Sequence, residues 1–377
     1  MYITVSNDVV HDQRILRVAG TLGKTGAEII LLGRRLPGSR PVNTTGFTVK
    51  RFLLPFRRGF FFYASLNIVL FFYLLFARKG IMVANDLDTV LPCYMVSRLR
   101  HLPLVYDSHE YFQGVPEISD RPWVKYVWKR IEQLTVPNIA VKYTVNGSIA
   151  RLYREEYHTE FKVVRNLSLR WLPGVRKTRA DLDLPTGIPI LVVQGTGINK
   201  DRGVEEAVMA MSYLDNAMLL IIGSGDRIAA LKQLVSHLKL EGRVLFRGKM
   251  PYTELMQHTS CADVGLSLDK GIHLNYRYSL PNKLFDYIQA GIPVIVSDLP
   301  EVRNIVEGYR IGEVTNTHDP ALLATVFRRV LGDTVLLSEW RKNLEKAAAE
   351  LCWENEEKVL MKIYLDAGWL FNGPATP

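Results

Sequence analysis

Apolar positions along the chain fall into two alternating rhythms, short continuous runs and helical spacings, and that alternation predicts a parallel α/β architecture. Tyr2–Ser6 reads as a strand. Arg14–Lys24 reads as a helix with Ile15, Val18, Ala19 and Leu22 on one face, and Glu28–Leu32 as the next strand. Ile81–Val83, Leu104–Tyr106 and Tyr143–Val145 read as further strands. The rhythm restarts near Ile188. Strand Ile190–Val193, helix Val204–Tyr213, strand Met218–Ile222, helix Arg227–Leu238 and strands Val244–Arg247 and Asp263–Leu268 follow. Residues 168–187 hold Pro173, Gly174 and Pro185 among basic side chains and read as a linker. The expected fold is two doubly wound domains, residues 1–167 and 188–353, with no short-period repeat.

The segment Ser279–Ser297 packs a turn, a helix and a strand together. Pro281 suits a first helical turn, where its missing N–H costs nothing. Leu284, Phe285 and Ile288 repeat at helical spacing, Gly291 stops the helix, and Ile292–Val296 reads as a buried strand. A helix start with free N–H groups can take phosphate. Asp286, one turn in, can accept from ribose hydroxyls. That combination suits a sugar nucleotide.

Residues 59–77 form an apolar block containing Phe60, Phe61, Phe62, Phe71, Phe72 and Phe76, flanked by Arg57, Arg58, Arg78 and Lys79. By length it is a candidate span. The strand pattern on either side needs one sheet, however, and a bilayer between the two would break the domain. Three readings stand: a core helix, an interfacial helix whose basic flanks meet anionic headgroups, and a true span. The interfacial reading is preferred, with Phe61, Phe62, Phe71 and Phe72 as its membrane contacts, and the span is least favoured.

Several polar stretches follow strands, where doubly wound sheets place ligands. Asn7 to Arg14 offers Asn7, Asp12 and Arg14, which serve equally as a helix cap and a structural ion pair. Asn85–Thr89 carries Asp86, an acid that also suits a cap. Tyr106–Glu110 brings Asp107, His109 and Glu110 together, a set capable of acid–base work. In the second half, Gly195–Gly203 is a Gly-rich loop with Thr196, Gly197, Lys200 and Arg202. Its backbone N–H groups and its two cations can meet a diphosphate. Gly223, Ser224 and Gly225 form a second such loop, with a plain tight turn as the bland alternative. No Walker pattern is present. Trp123, Tyr126 and Trp128 suit sugar stacking or, preferably, core packing, and Trp353 reads as the anchor of the last helix.

Composition adds constraints. The 377 residues are 48% hydrophobic, enough for two cores, and carry a net charge of +9. A basic chain favours anionic partners, but no nucleic-acid motif accompanies the charge, so nucleic acid is not an expected partner. Cys93, Cys261 and Cys352 lie far apart without metal-ligand spacing, which points to a reducing compartment and no metal site. The N-terminus opens directly on a strand, with no cleavable leader predicted.

The motifs together resemble the retaining family-4 glycosyltransferases of the two-Rossmann GT-B type. The carriers run along nearly the whole chain: Asn7–Arg14, Asn85–Thr89, Tyr106–Glu110, Val164–Asn166, Arg202-Gly203, Gly223–Gly225, Pro281–Asp286 with Gly291–Pro293, and Trp353-Glu354. The resemblance implies two Rossmann-like domains facing across a cleft, with residues 354–377 returning to the first. It implies metal-independent hexosyl transfer with retention, without a cofactor, from a nucleotide sugar carrying UDP or GDP to a glycan or lipid-linked acceptor. The setting would be polysaccharide biosynthesis by a cytoplasmic protein, peripheral on the inner face of the cell membrane, with anionic lipid as a partner. His109 would lie near the transferred sugar. Arg202, or Lys200, would supply the diphosphate cation.

By position Asp286 is the ribose acid of the family's paired-acid motif, and Tyr278 stands where the other acid belongs, with Ser279 beside it. Thr196 replaces the family's first-loop Arg, and Asn282 and Lys283 fall where backbone amides meet the diphosphate. Two alternatives to the transferase are a sugar-nucleotide epimerase of the same fold and a non-catalytic partner subunit.

Overall fold

Both sheets are built from strands that read as near-continuous apolar runs, which is what burial on two faces demands. The computed structural model describes the chain except residues 11, 40, 43–45, 115–120 and 370–377. It divides into two units, residues 1–166 with the chain from Glu356 onward, and residues 167–355.

The first unit holds β1 (Tyr2–Thr4), β2 (Ile30–Arg35), β3 (Thr48–Leu53), β4 (Met82–Asn85), β5 (Leu104–Ser108), β6 (Val141–Thr144) and β7 (Lys162–Val163), in the order β3-β2-β1-β4-β5-β6-β7. The second holds β8 (Ile190–Gly195), β9 (Met218–Gly223), β10 (Val244–Arg247), β11 (Val264–Ser267), β12 (Val294–Ser297) and β13 (Gly312–Thr315), in the order β10-β9-β8-β11-β12-β13. All pairings among the described residues are parallel. Each sheet is thus doubly wound, and its order reverses at one place, between β1 and β4 or between β8 and β11. A doubly wound sheet places its ligand at the carboxyl ends of the strands beside that reversal.

In the second sheet alternate side chains enter two separate cores. Leu191 and Val193 of β8 join Leu219 and Ile221 of β9 on one face, with Leu231 and Phe327. Ile190 and Val192 join Leu220 and Ile222 on the other, with Leu284, Phe285 and Tyr287 from helix Asn282–Ala290. Pro281 caps that helix in an extended conformation instead of entering its first turn.

The last helix runs Trp353–Asp366, and residues 370–377 of the longer helix expected there lie outside the described residues. Its inward face is tied to the first unit by charge. Glu356 accepts from Arg165 Nε (3.0 Å), Nη2 (2.8 Å) and backbone N (2.7 Å), and Glu357 accepts from Thr21 and Lys24. Trp353 is buried, and its N–H bonds Ser168 O at 2.9 Å.

Helix Pro122–Thr135 buries Glu132, which accepts from Tyr157 Oη (2.7 Å) and Gln113 Nε2 (2.9 Å). Burial pushes its carboxyl up to about 7, against the pull of those two donors. The native state therefore keeps a proton that the unfolded chain gives up from about pH 4.5. Stability contributed by protonated Glu132 is full below that value and is lost as pH rises towards 7, at roughly 1.4 kcal/mol per pKa unit. Glu132→Gln, which cannot ionise, is expected to flatten the fall in urea midpoint between pH 4.5 and 7.5. An unchanged slope would remove Glu132 as its source.

Candidate functional site

In the first unit the reversal gathers the loop after β1, the residue after β4 and the end of β5. Asp107, on β5, is fully buried and forms a forked pair with Arg14 of helix Gln13–Gly23 (Nη2–Oδ1 2.8 Å, Nε–Oδ2 3.3 Å). Arg14 Nη1 also bonds Val164 O at 2.9 Å. Arg14 and Asp107, expected to face an acceptor, are instead sealed inside. A charge without solvent needs its counter-ion beside it, so the pair fixes the helix against the sheet. Asp12 caps the same helix by accepting from Ile15 N (3.1 Å), and it accepts from Asn7 Nδ2 (2.6 Å). Asn7 Oδ1 accepts from Val9 N at 2.7 Å. Asn7 and Asp12 thus shape the loop.

His109 lies between two carboxylates, Nδ1 3.1 Å from Asp86 and Nε2 3.4 Å from Asp107. Burial alone would lower its pKa, but the two acids outweigh burial and raise it well above the usual value. Both acids thus favour the charged form of the ring. The structure brings Asp86, Asp107 and His109 together at this edge. Asp86 also accepts from His109 N (2.8 Å) and adopts φ 59°, ψ 167°. For a residue with a Cβ that conformation costs of order 1–3 kcal/mol and persists only where its surroundings impose it. Glu110 is half-buried at the same edge, where its carbonyl accepts from Ser108 Oγ at 2.8 Å. Asp88, in the first turn of helix Leu87–Arg100, was not among the candidates. Burial and neighbouring Asp86 push it up to about 7. The proximity of two acids in Asn85–Thr89 was the signal for it.

In the second unit the two Gly-rich loops are stitched backbone to backbone. Ser224 N bonds Gly195 O (3.0 Å), Ile198 N bonds Ser224 O (3.1 Å) and Arg227 N bonds Ile198 O (3.2 Å). A Cβ on Gly223, whose φ is 131°, would strike Gly195 O, and one on Gly225 would strike Ile198 O. These glycines permit close approach of two chains, which is more than a tight turn. Thr196, Gly197 and Lys200 are exposed.

Arg202 turns inward to Asp269, the residue that the sequence reading missed. Asp269 is fully buried just after β11, with Arg202 Nη1 at 3.2 Å and Lys283 Nζ at 3.0 Å. Burial pushes its carboxyl up, but Lys283 and Arg202 prevail and hold it below its ordinary range. The Arg202 guanidinium lies 4.0 Å over the Tyr276 ring. The only sequence signal for Asp269 was its place after a strand.

Asp286 is nearly buried, and donors reach both oxygens: Ser168 (2.6 Å) and Tyr252 (2.9 Å) at Oδ1, Gln194 (3.0 Å) at Oδ2. A ribose would have to displace one of these groups. Tyr278 is half-buried, Ser279 Oγ bonds Tyr276 O at 2.9 Å, and Asn282 is exposed at the helix start.

The apolar block forms helix Gly59–Phe76, with a mean hydropathy of 2.0. Phe62, Leu66, Leu70 and Leu74 recur every fourth residue and are buried. Asn67 bonds Asp88 O at 2.9 Å, and Arg100 caps the last turn through Leu74 O and Ala77 O. Phe62, expected on the membrane face, belongs to the core beneath Arg34, 4.7 Å over its ring. Phe71 is half-buried. Phe60, Phe61, Ile68, Phe72 and Phe76 remain exposed on the outer side. Trp123, preferred as a core residue, is 80% exposed, whereas Trp128 packs on Tyr63 and Phe112.

Two doubly wound parallel sheets with cation-bearing loops at the second reversal define a protein of the GT-B glycosyltransferase fold. Residues 175–350 match the family Glycosyl transferases group 1, so the chain carries a domain of that family. The lipopolysaccharide core biosynthesis glycosyltransferase LpsD of Rhizobium meliloti is 25% identical over 61% of this chain and 63% of its own length. The N-acetyl-alpha-D-glucosaminyl L-malate synthase of Bacillus anthracis is 26% identical over 47% of this chain and 45% of its own. The chain spans about half the length of the curated relatives it matches. Among solved structures, sucrose-phosphate synthase from Thermosynechococcus elongatus superposes with a TM-score of 0.81 at 17% identity, covering 97% of this chain and 98% of that one. Anabaena HepE in complex with UDP-glucose gives 0.75 at 13%, covering 98% and 99%.

Arg14→Met keeps the stem and strands Asp107 with a weaker partner set. It is expected to lower unfolding stability by about 3–5 kcal/mol, the cost of breaking a buried pair. Denaturant titration at pH 7 reads this directly, and a loss under about 1 kcal/mol would make the pair dispensable.

Proposed function

We propose that the protein transfers a hexosyl group, with retention and without a metal, from a nucleotide-diphosphate sugar to a glycan or lipid-linked acceptor at a membrane surface. The observation that carries this reading is the second reversal. Two stitched Gly-rich loops, Arg202 and the start of helix Asn282–Ala290 meet there at the carboxyl edge of a sheet within a group 1 domain. Backbone N–H groups and a fixed cation suit the charge that develops on a departing diphosphate. The anomeric C–O bond to the diphosphate breaks, and a bond to the acceptor oxygen forms on the same face. The acceptor's proton passes to the leaving diphosphate. In the first unit, His109 with Asp86 and Glu110 stands at the carboxyl edge that would take the acceptor. HepE, the neighbour solved with UDP-glucose, supports a uridine donor, with GDP sugars as the other class. No cofactor is required.

The outer face of helix Gly59–Phe76 and the exposed stripe of helix Pro122–Thr135, with Trp123, Val127 and Leu134, support peripheral binding to the cytoplasmic face of the cell membrane. Their basic neighbours Arg57, Arg58, Lys125 and Lys129 match anionic headgroups, each worth about 1 kcal/mol near the surface.

A panel of UDP-, GDP- and dTDP-sugars is expected to include one that raises the thermal midpoint. Saturation at a hundred times the dissociation constant would stabilise the native state by about 2.7 kcal/mol. Failure of every donor would overturn the transferase. A configurational change of the sugar without acceptor would make the protein an epimerase.

For the membrane, Phe60, Phe61, Phe72 and Phe76 changed together to Ser are expected to abolish pelleting with vesicles of anionic lipid while the fold persists. Phe62→Ser is expected to unfold the protein instead. Undiminished pelleting of the quadruple variant would exclude this face.

A further inference from the structure

We propose that the Lys283 side chain supplies the second diphosphate cation that the Gly-rich loop lacks at Thr196, and that buried Asp269 positions it beside Arg202. This rests on the nucleotide-sugar reading of the second unit. A donor diphosphate carries more negative charge than one cation balances, and a Gly-rich loop of this type can offer two. Here the loop presents Thr196, neutral and exposed, and Lys200, exposed and without an ion pair among the described residues, so Arg202 is its only fixed cation.

The second fixed cation comes from another element. Lys283 stands in the first turn of helix Asn282–Ala290, and its Nζ lies 3.0 Å from Asp269 Oδ2. Arg202 Nη1 lies 3.2 Å from Oδ1 of the same carboxylate. Ser267 Oγ donates to Oδ2 at 3.3 Å, and Asp269 has no exposed surface.

Two cations this close would repel each other in a poorly solvated place. One shared carboxylate removes that repulsion and leaves the group with a net charge of about +1. Arg202 is held on its other side by the Tyr276 ring at 4.0 Å, and its Nε is buried without a hydrogen-bond partner. Neither cation is fully enclosed, since the side chains retain 25% (Arg202) and 13% (Lys283) of their exposure. Lys283 also adds its charge at the positive end of its helix, where the backbone already favours an anion. The structure thus builds a clamp from one loop cation and one helix cation, with Asp269 as the positioning residue.

The test compares UDP and GDP with their nucleosides by calorimetry, for the wild type, Lys283→Met, Lys283→Arg, Asp269→Asn and the double variant Lys283→Met with Thr196→Arg. One nucleoside diphosphate is expected to bind the wild type. Lys283→Met is expected to weaken it 10- to 100-fold while nucleoside affinity stays within about twofold. Lys283→Arg should retain most of the affinity, and Thr196→Arg should restore at least tenfold to the Met variant. Asp269→Asn should lose diphosphate affinity selectively, as a positioning role requires.

Wild-type binding that Lys283→Met leaves unchanged would overturn the clamp and leave the donor reading intact. Equal loss of nucleoside and diphosphate with a lowered midpoint would make Lys283 a structural ion-pair partner and also overturn it. Absence of any nucleotide binding by the wild type would sink the donor reading itself.

Discussion

A carboxylate taken out of water stays charged only beside cations, and the two reversals in this protein are organised around that constraint. Asp107 ends a central strand of the first sheet and gathers Arg14 and His109. Asp269 follows a central strand of the second and gathers Arg202 and Lys283. In each unit the buried acid sets where the neighbouring loop and helix can lie, because its counter-ions come from different elements. Helix Gln13–Gly23, the Gly-rich loop and helix Asn282–Ala290 are placed by charge as well as by apolar packing.

The two clusters differ in what they leave available. Asp107 and Arg14 satisfy each other and are sealed, and His109 stays at the edge between Asp107 and Asp86, whose own backbone conformation is strained. Such strain belongs where geometry serves chemistry more than stability. In the second unit one acid holds two cations, and the surplus is a cation beside a helix start. That arrangement suits a charge that appears as a bond breaks, since the donors are in place before the charge develops.

The apolar helix Gly59–Phe76 shows a different compromise. Its buried stripe, Phe62, Leu66, Leu70 and Leu74, serves the core of the first unit, and its outer stripe stays exposed among the described residues. A helix apolar on both sides is costly at an aqueous surface, which is why a lipid surface is its natural complement. Tyr63 against Trp128 joins it to helix Pro122–Thr135, so the two exposed stripes belong to one packed layer.

The alternation of apolar runs and helical spacings determined the doubly wound class and most strand positions, because both faces of a parallel sheet must be apolar whatever the loops do. The glycines of Gly195–Gly203 and Gly223–Gly225 were legible as ligand-edge loops, since little else tolerates such backbone. Short edge strands such as Lys162–Val163 were not, because two residues carry no period. The sequence also could not say which of several polar residues after a strand would be sealed and which left open. Arg14 and Asp107 closed on each other, Asp286 met Ser168 and Tyr252, and Phe62 turned inward while Phe61 stayed out. Asp269 acquired its role only when Arg202 and Lys283 arrived from separate elements. Periodicity is a local property, so one chain read alone reveals it. The partner of a buried charge is a long-range choice, and tertiary structure alone makes it.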